Sequence, residues 1–151
     1  MSQLYSYADF VRDVEWRLRL LSRTVTDPNF VWPGLLVLDV KDGLSAEAFT
    51  IGTTLAQRDR LARELVATIR KSQARRFAWA MPCLREVEGA SRECLLLIVA
   101  ERRRAEAAVA DFTRSPGEAP RLGHFKHGPF GGGARRISGR LVEPLLEVLD
   151  D

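Results

Sequence analysis

Asp39-Val40-Lys41 is the tripeptide whose residue types and spacing come closest to chemistry in this sequence. Side chains alternate between faces along an extended chain, so Asp39 and Lys41 would share one. A carboxylate beside an ammonium can help hold a divalent cation and stabilise an attacked phosphate. Charged residues before the turn signal Asp42-Gly43 are also what an ordinary surface turn carries. His124 and His127 are the only histidines. Their spacing could supply two metal ligands, but no cysteine or acidic residue stands at ligand spacing, and Lys126 between them opposes a cation. The expectation is loop histidines facing solvent or the domain edge, with no metal and no cofactor. Ser138, between Ile137 and Gly139, is not on a nucleophile elbow. Cys83 and Cys94 are too few for a disulfide framework or a metal set, so two packed, reduced thiols are expected.

The acid-x-lysine pair resembles that of metal-dependent nucleases of the PD-(D/E)xK type, in which the acid helps hold Mg²⁺ and the lysine steadies the phosphate. Helices before and after the pair also suit that core. The preceding strand with its own metal-binding acid is missing, and Asp27, the nearest substitute, precedes Pro28 in a loop. A second candidate lies further on. From Arg114 to Arg140 the chain carries Arg114, Arg121, Lys126, Arg135, Arg136 and Arg140 against Glu118 alone. Phe125 and Phe130 interleave with them, as aromatic residues do in proteins that stack single-stranded bases. Gly131-Gly132-Gly133-Ala134-Arg135-Arg136 resembles an anion-cradling loop, although the lysine and serine or threonine ending of a P-loop is absent. The candidate binding residues are therefore Arg121, Lys126, Arg135, Arg136, Arg140, Phe125 and Phe130. The alternative is a solvated loop whose two phenylalanines pin it to the body.

The elements that must position these residues are partly legible. Ser6 caps a helix, with Asp9 in the place of a capping-box acid. Phe10, Val14, Leu18 and Leu21 then recur at helical spacing, with Val11 beside them. That helix is expected to stop before Thr24–Pro28. Trp16 sits off its stripe; it could anchor a partner, but packing under the loop of Phe30 and Trp32 is favoured. Leu35–Val40 reads as a strand and Ala48–Ile51 as its partner. Thr53 or Thr54 caps a helix to about Lys71, with Leu55, Ala62, Leu65, Val66 and Ile69 inward. Phe77, Trp79, Met81 and Cys83 alternate with smaller or polar residues, Glu88-Gly89 marks a two-residue turn, and Glu93–Ala100 returns as a strand buried on both faces. That turn places Phe77 opposite Ala100, Trp79 opposite Ile98, Met81 opposite Leu96 and Cys83 opposite Cys94. Pro82 suits a sheet edge. Ala105–Thr113 favours a further strand over a helix, because the link Arg102-Arg103-Arg104 is hairpin-short. A Gly-, Pro- and Arg-rich loop occupies about 115–135. Arg135–Val142 is expected extended, and Pro144 in the first turn of a final helix, Glu143–Asp150.

The fold expectation is an α+β domain over residues 1–151, with a mostly antiparallel sheet of about five strands in the order α-β-β-α-β-β-β-α and helices packed on it. This order is similar to that of roadblock and profilin-like domains, in layout only. Composition agrees: 46% of the 151 residues are hydrophobic and 28% charged, which is enough apolar surface for a core and too much for disorder. The longest apolar run, Cys94–Ala100, is far short of the ~20 residues a membrane helix needs. Met1–Tyr5 lacks the pattern of a secretory signal. A cytoplasmic location is expected, and the arginine-rich basic complement suggests a GC-rich bacterial genome. Since no acid pair, ligand set or nucleophile stands at diagnostic spacing, the leading expectation is a non-catalytic interaction or accessory protein that binds a protein partner, with homodimerisation one form of this. The alternatives are nucleic-acid or polyanion binding through 114–140, and the nuclease chemistry of Asp39 and Lys41.

Overall fold

The computed structural model describes residues 4–150; Met1, Ser2 and Gln3 of the N-terminal segment, and Asp151, lie outside them. Helix α1 (Tyr7–Thr24) is followed by strands β1 (Gly34–Val40) and β2 (Gly43–Phe49), then by helix α2 (Leu55–Ser72). Strands β3 (Arg76–Val87), β4 (Ala90–Glu101) and β5 (Arg104–Thr113) form a meander. Two short strands, β6 (Arg121–Leu122) and β7 (Lys126–Pro129), lead to helix α3 (Gly132–Asp150). The sheet is antiparallel in the order β2-β1-β3-β4-β5, with β6 and β7 both paired to β5. The α+β layout expected from the sequence is therefore present. It gains the strands β6 and β7 inside the segment read as a loop. No described helix is long and apolar enough to cross a membrane.

Local chemistry explains most of these elements. Ser6 Oγ accepts the Asp9 N–H at 3.1 Å while the Asp9 carboxylate accepts the Ser6 N–H at 3.0 Å, a reciprocal cap. Thr54 and Gln57 repeat the device at α2. Glu88 and Gly89 both adopt positive φ, 52° and 80°, the mirror-image turn that suits a twisted two-residue hairpin. The register follows: Phe77 opposes Ala100, Trp79 opposes Ile98 and Cys83 opposes Cys94.

The sheet is sandwiched. Leu36, Leu38, Phe77, Trp79, Met81, Leu96 and Ile98 pack under Leu61, Leu65 and Ile69 of α2 and Leu141, Val142 and Leu145 of α3. On the other face, Phe10, Val14 and Leu18 of α1 cover Val37, Ala78, Ala80, Leu95, Leu97 and Val99. Tyr7 fixes α1 there: its hydroxyl donates to the Val99 carbonyl at 3.1 Å, and the Arg104 guanidinium stacks 3.9 Å from its ring centroid.

Four local expectations need correction. Arg135–Val142 is helical, part of an α3 that starts at Gly132, so Pro144 lies inside the helix. The buried positions Ser138, Leu141, Val142 and Leu145 recur at helical spacing, and that burial outweighs the lost hydrogen bond at Pro144. β2 starts directly after the turn, at Gly43 rather than Ala48, because pairing along all of β1 overrides the weak strand propensity of its alanines. Leu21 and Leu55, read as inward, are 40% and 63% exposed. Trp16 is exposed rather than packed under the loop; Trp32 is the buried one, edge-on to Phe30 and Phe112.

β3 is an interior strand, yet Pro82 does lie at a local edge. The β1–β3 ladder ends at Leu35–Ala80. One more hydrogen-bonded step in that register would set Pro33 opposite Pro82. Neither has an N–H to give, so the ladder cannot continue.

Candidate interaction site

The Asp39 end of the sheet holds a buried ion pair. Asp39 is 3% exposed, and one carboxylate oxygen accepts a hydrogen bond from Arg76 Nη1 at 2.7 Å. Arg76 Nε donates in turn to Glu101 at 2.8 Å. The carboxylate read as a metal ligand is thus held in a buried ion pair, and its main-chain carbonyl accepts the Arg75 N–H. Beside it lies a cleft of about 490 Å³, bordered by Tyr5, Asp13, Trp16, Lys41 and Leu44. Tyr5 donates to Asp13 at 2.6 Å, and burial together with that carboxylate pushes the phenol well above its ordinary range. Among the described residues no group of three or more His, Cys, Asp or Glu side chains converges to hold a metal. A second cleft, of about 630 Å³, is lined by Arg70, Arg75, Arg76 and Arg102 at the C-terminal end of α2. The last carbonyls of a helix carry partial negative charge, which accounts for cations there.

The basic segment is divided by the sheet. Arg140 makes a two-pronged pair with Asp59 of α2, at 2.7 and 3.1 Å. Arg135 pairs with Glu143 and lies 5.6 Å from the Phe130 ring centroid, on the α2–α3 side. Phe125 packs instead with the α1 layer. Lys126 is on β7, Arg121 on β6, and both are exposed, as is Arg136 on α3. Phe125 and Phe130 therefore pin the segment to opposite faces of the sheet rather than stacking together. The histidines bind α1: Arg19 Nη2 lies 3.0 Å from His124 Nδ1, and His127 Nε2 lies 2.6 Å from Glu15 Oε1.

The opposed thiols are both free, Cys94 buried and Cys83 half-buried. Burial pushes the Cys83 thiol up to about 11 and raises Cys94 as well. The thiolate is the reactive form. Native protein at pH 7.5 is therefore expected to react with a maleimide far more slowly than denatured protein does, as read by mass spectrometry; equal rates would contradict the burial.

The two long edges of the sheet are treated differently. At one, β5 is overlaid by two short strands, and β7 brings Lys126 and Pro129 to the rim. Short strands, lysine and proline are how proteins blunt an edge. At the other, β2 runs seven residues in unbroken register with no lysine, proline or bulge. The two-residue turn makes the flanking pair Val40–Gly43 hydrogen-bonded, and pairs alternate from there. Ser45 and Glu47 thus bond to β1, while Leu44, Ala46 and Ala48 point their N–H and C=O groups outward. The side chains of those three lie on the α1 face, because they oppose Asp39, Val37 and Leu35. Ala46 and Ala48 are exposed, and Trp16 and Leu20 of α1 are 53% and 42% exposed, with Trp16 and Leu44 bordering one cleft. Trp16 is marked in the sequence as an aromatic off its helical stripe, whereas the edge position of β2 depends on the order of the strands and has no such mark.

No protein-family model, curated protein or solved structure matches the chain.

Proposed function

We propose that this protein is a non-catalytic interaction module that binds a protein partner by adding the partner's strand to the open edge of β2. The contrast between the two sheet edges carries this reading. One edge is blunted by short strands, a lysine and a proline, while the other keeps three outward N–H and C=O pairs ready for a ladder. Strand addition draws affinity from such main-chain groups and specificity from side-chain pockets beside them. The cleft walled by Trp16 and Leu44 is a pocket of that kind, and an exposed tryptophan is a common anchor of interfaces. Nucleic-acid binding and phosphodiester cleavage have no comparable support, since Arg135, Arg140 and Asp39 are already engaged by Glu143, Asp59 and Arg76.

In-cell photo-cross-linking tests the proposal. A photoreactive residue at Ala48 is expected to give a discrete adduct, and the same probe at Arg63 on the outer face of α2 to give none. Adding Ala46→Pro, which removes an outward N–H and leaves the β1 ladder intact, should abolish the adduct. An adduct that survives Ala46→Pro, or equal labelling from Arg63, would overturn strand addition.

A further inference from the structure

Resting on that reading, we infer that the strand added to β2 is the β2 of a second copy of this chain, paired antiparallel about a two-fold axis at Ala46. The sequence of the edge is self-complementary in this register. Leu44, Ala46 and Ala48 are the residues with outward main-chain groups, and they are symmetric about Ala46. Pairing sets Leu44 opposite Ala48 of the second copy and Ala46 opposite its own equivalent, each pair exchanging two hydrogen bonds. Ser45 falls opposite Glu47, twice by symmetry. A serine hydroxyl can donate to a carboxylate there, and the two glutamates are not placed directly against each other.

The side chains agree with the backbone. A two-fold axis perpendicular to the sheet keeps both α1 helices on one face. The small side chains of Ala46 and Ala48 then form a shallow floor between the helices, and Trp16 and Leu20 of each copy stand beside it. Those two residues are among the large apolar groups that α1 leaves in solvent. The product is one continuous sheet in which neither copy keeps an open long edge, so the unprotected strand is accounted for without any further device.

Analytical ultracentrifugation of the full chain across micromolar concentrations tests this pairing. Wild-type protein should sediment as a dimer. Ala46→Pro should be monomeric, and so should Ala46→Asp, which sets like charges opposite each other. Both variants should keep the wild-type circular dichroism and a cooperative melt. Ser45→Lys faces Glu47 of the second copy at two places and should tighten the dimer by roughly 2- to 30-fold at low salt, with the gain lost at high salt. A wild-type chain that stays monomeric to high micromolar concentration, or a dimer indifferent to both Ala46 variants, overturns self-pairing. The cross-link from Ala48 separates this failure from that of strand addition. An adduct to a different protein with a monomeric chain refutes the second copy alone, whereas no adduct and no dimer refute both.

Discussion

Replacing Arg76 with Met is expected to lower the unfolding free energy by about 3–5 kcal/mol, the range for removing one partner of a buried ion pair. Asp39 sits at 3% exposure at the end of β1, and the Arg76 guanidinium is 2.7 Å from its carboxylate. Take the guanidinium away and a carboxylate is left where water is largely excluded. Its desolvation cost is then unopposed. Glu101, the other partner, has 28% of its side chain in solvent and can rehydrate, so the loss is concentrated at Asp39. The single change should therefore cost far more than Asp39→Leu combined with Arg76→Met, in which both charges go and apolar groups of similar size replace them. Urea unfolding of the wild type, both singles and the double measures the coupling. A loss below about 1 kcal/mol for Arg76→Met, or additive singles, would show the pair to be solvated. Domains of this size are stable by roughly 5–15 kcal/mol, so the predicted loss can unfold a large fraction of the molecules at physiological temperature.

What the sequence disclosed and what it hid divides by the range of the interaction. The β3–β4 hairpin was legible to the residue because its signals are local: a period-two pattern, then Glu88-Gly89 at the turn. α1 was legible for the same reason, since Ser6 and Asp9 cap it from three residues apart. α3 was not. Gly131 precedes it, Gly132 and Gly133 open it, Pro144 interrupts it, and its buried stripe begins with Ser138 and Gly139, which are not apolar markers. The punctuation read as loop, while packing on α2 and the sheet decided for helix. The candidate site suffered in the same way. Asp39 and Lys41 stood out because acid and base were adjacent, yet the residue that engages Asp39 is Arg76, 37 positions on. Trp16 stood out as an aromatic off its stripe, and its exposure gives that signal a use. The open edge of β2 has no local mark at all. It exists because β3, arriving after α2, takes the other side of β1, and only the strand order reveals it.

The second large effect is expected at Trp79. Trp79→Ala should cost about 3–5 kcal/mol, since the ring is fully buried in the first half of β3 and an alanine leaves a cavity there. The surroundings are shaped to this side chain. A Cβ on Gly34 would come within 2.3 Å of its Cη2 and within 3.1 Å of Ile51 Cγ1, so the glycine is what lets the ring lie against β1. Gly34→Ala alone should therefore destabilise by about 1–3 kcal/mol through overpacking. In the Trp79→Ala background the same methyl enters vacated space and should cost less or even restore stability. Thermal or urea unfolding of the four proteins gives this sign change; strictly additive losses would sink it. The effect should also reach the edge. Gly34 pairs with Phe49 of β2, Phe49 touches Trp79 at a 6.4 Å ring separation, and among the described strands β2 pairs with β1 alone. With the ring gone, the amides of Ser45 and Glu47, which bond to β1, should exchange with solvent faster than those at the centre of β4. The strand addition proposed for β2 should then weaken in the same variant without any change to Leu44, Ala46 or Ala48, because an added strand pairs well only with an edge that is already held straight.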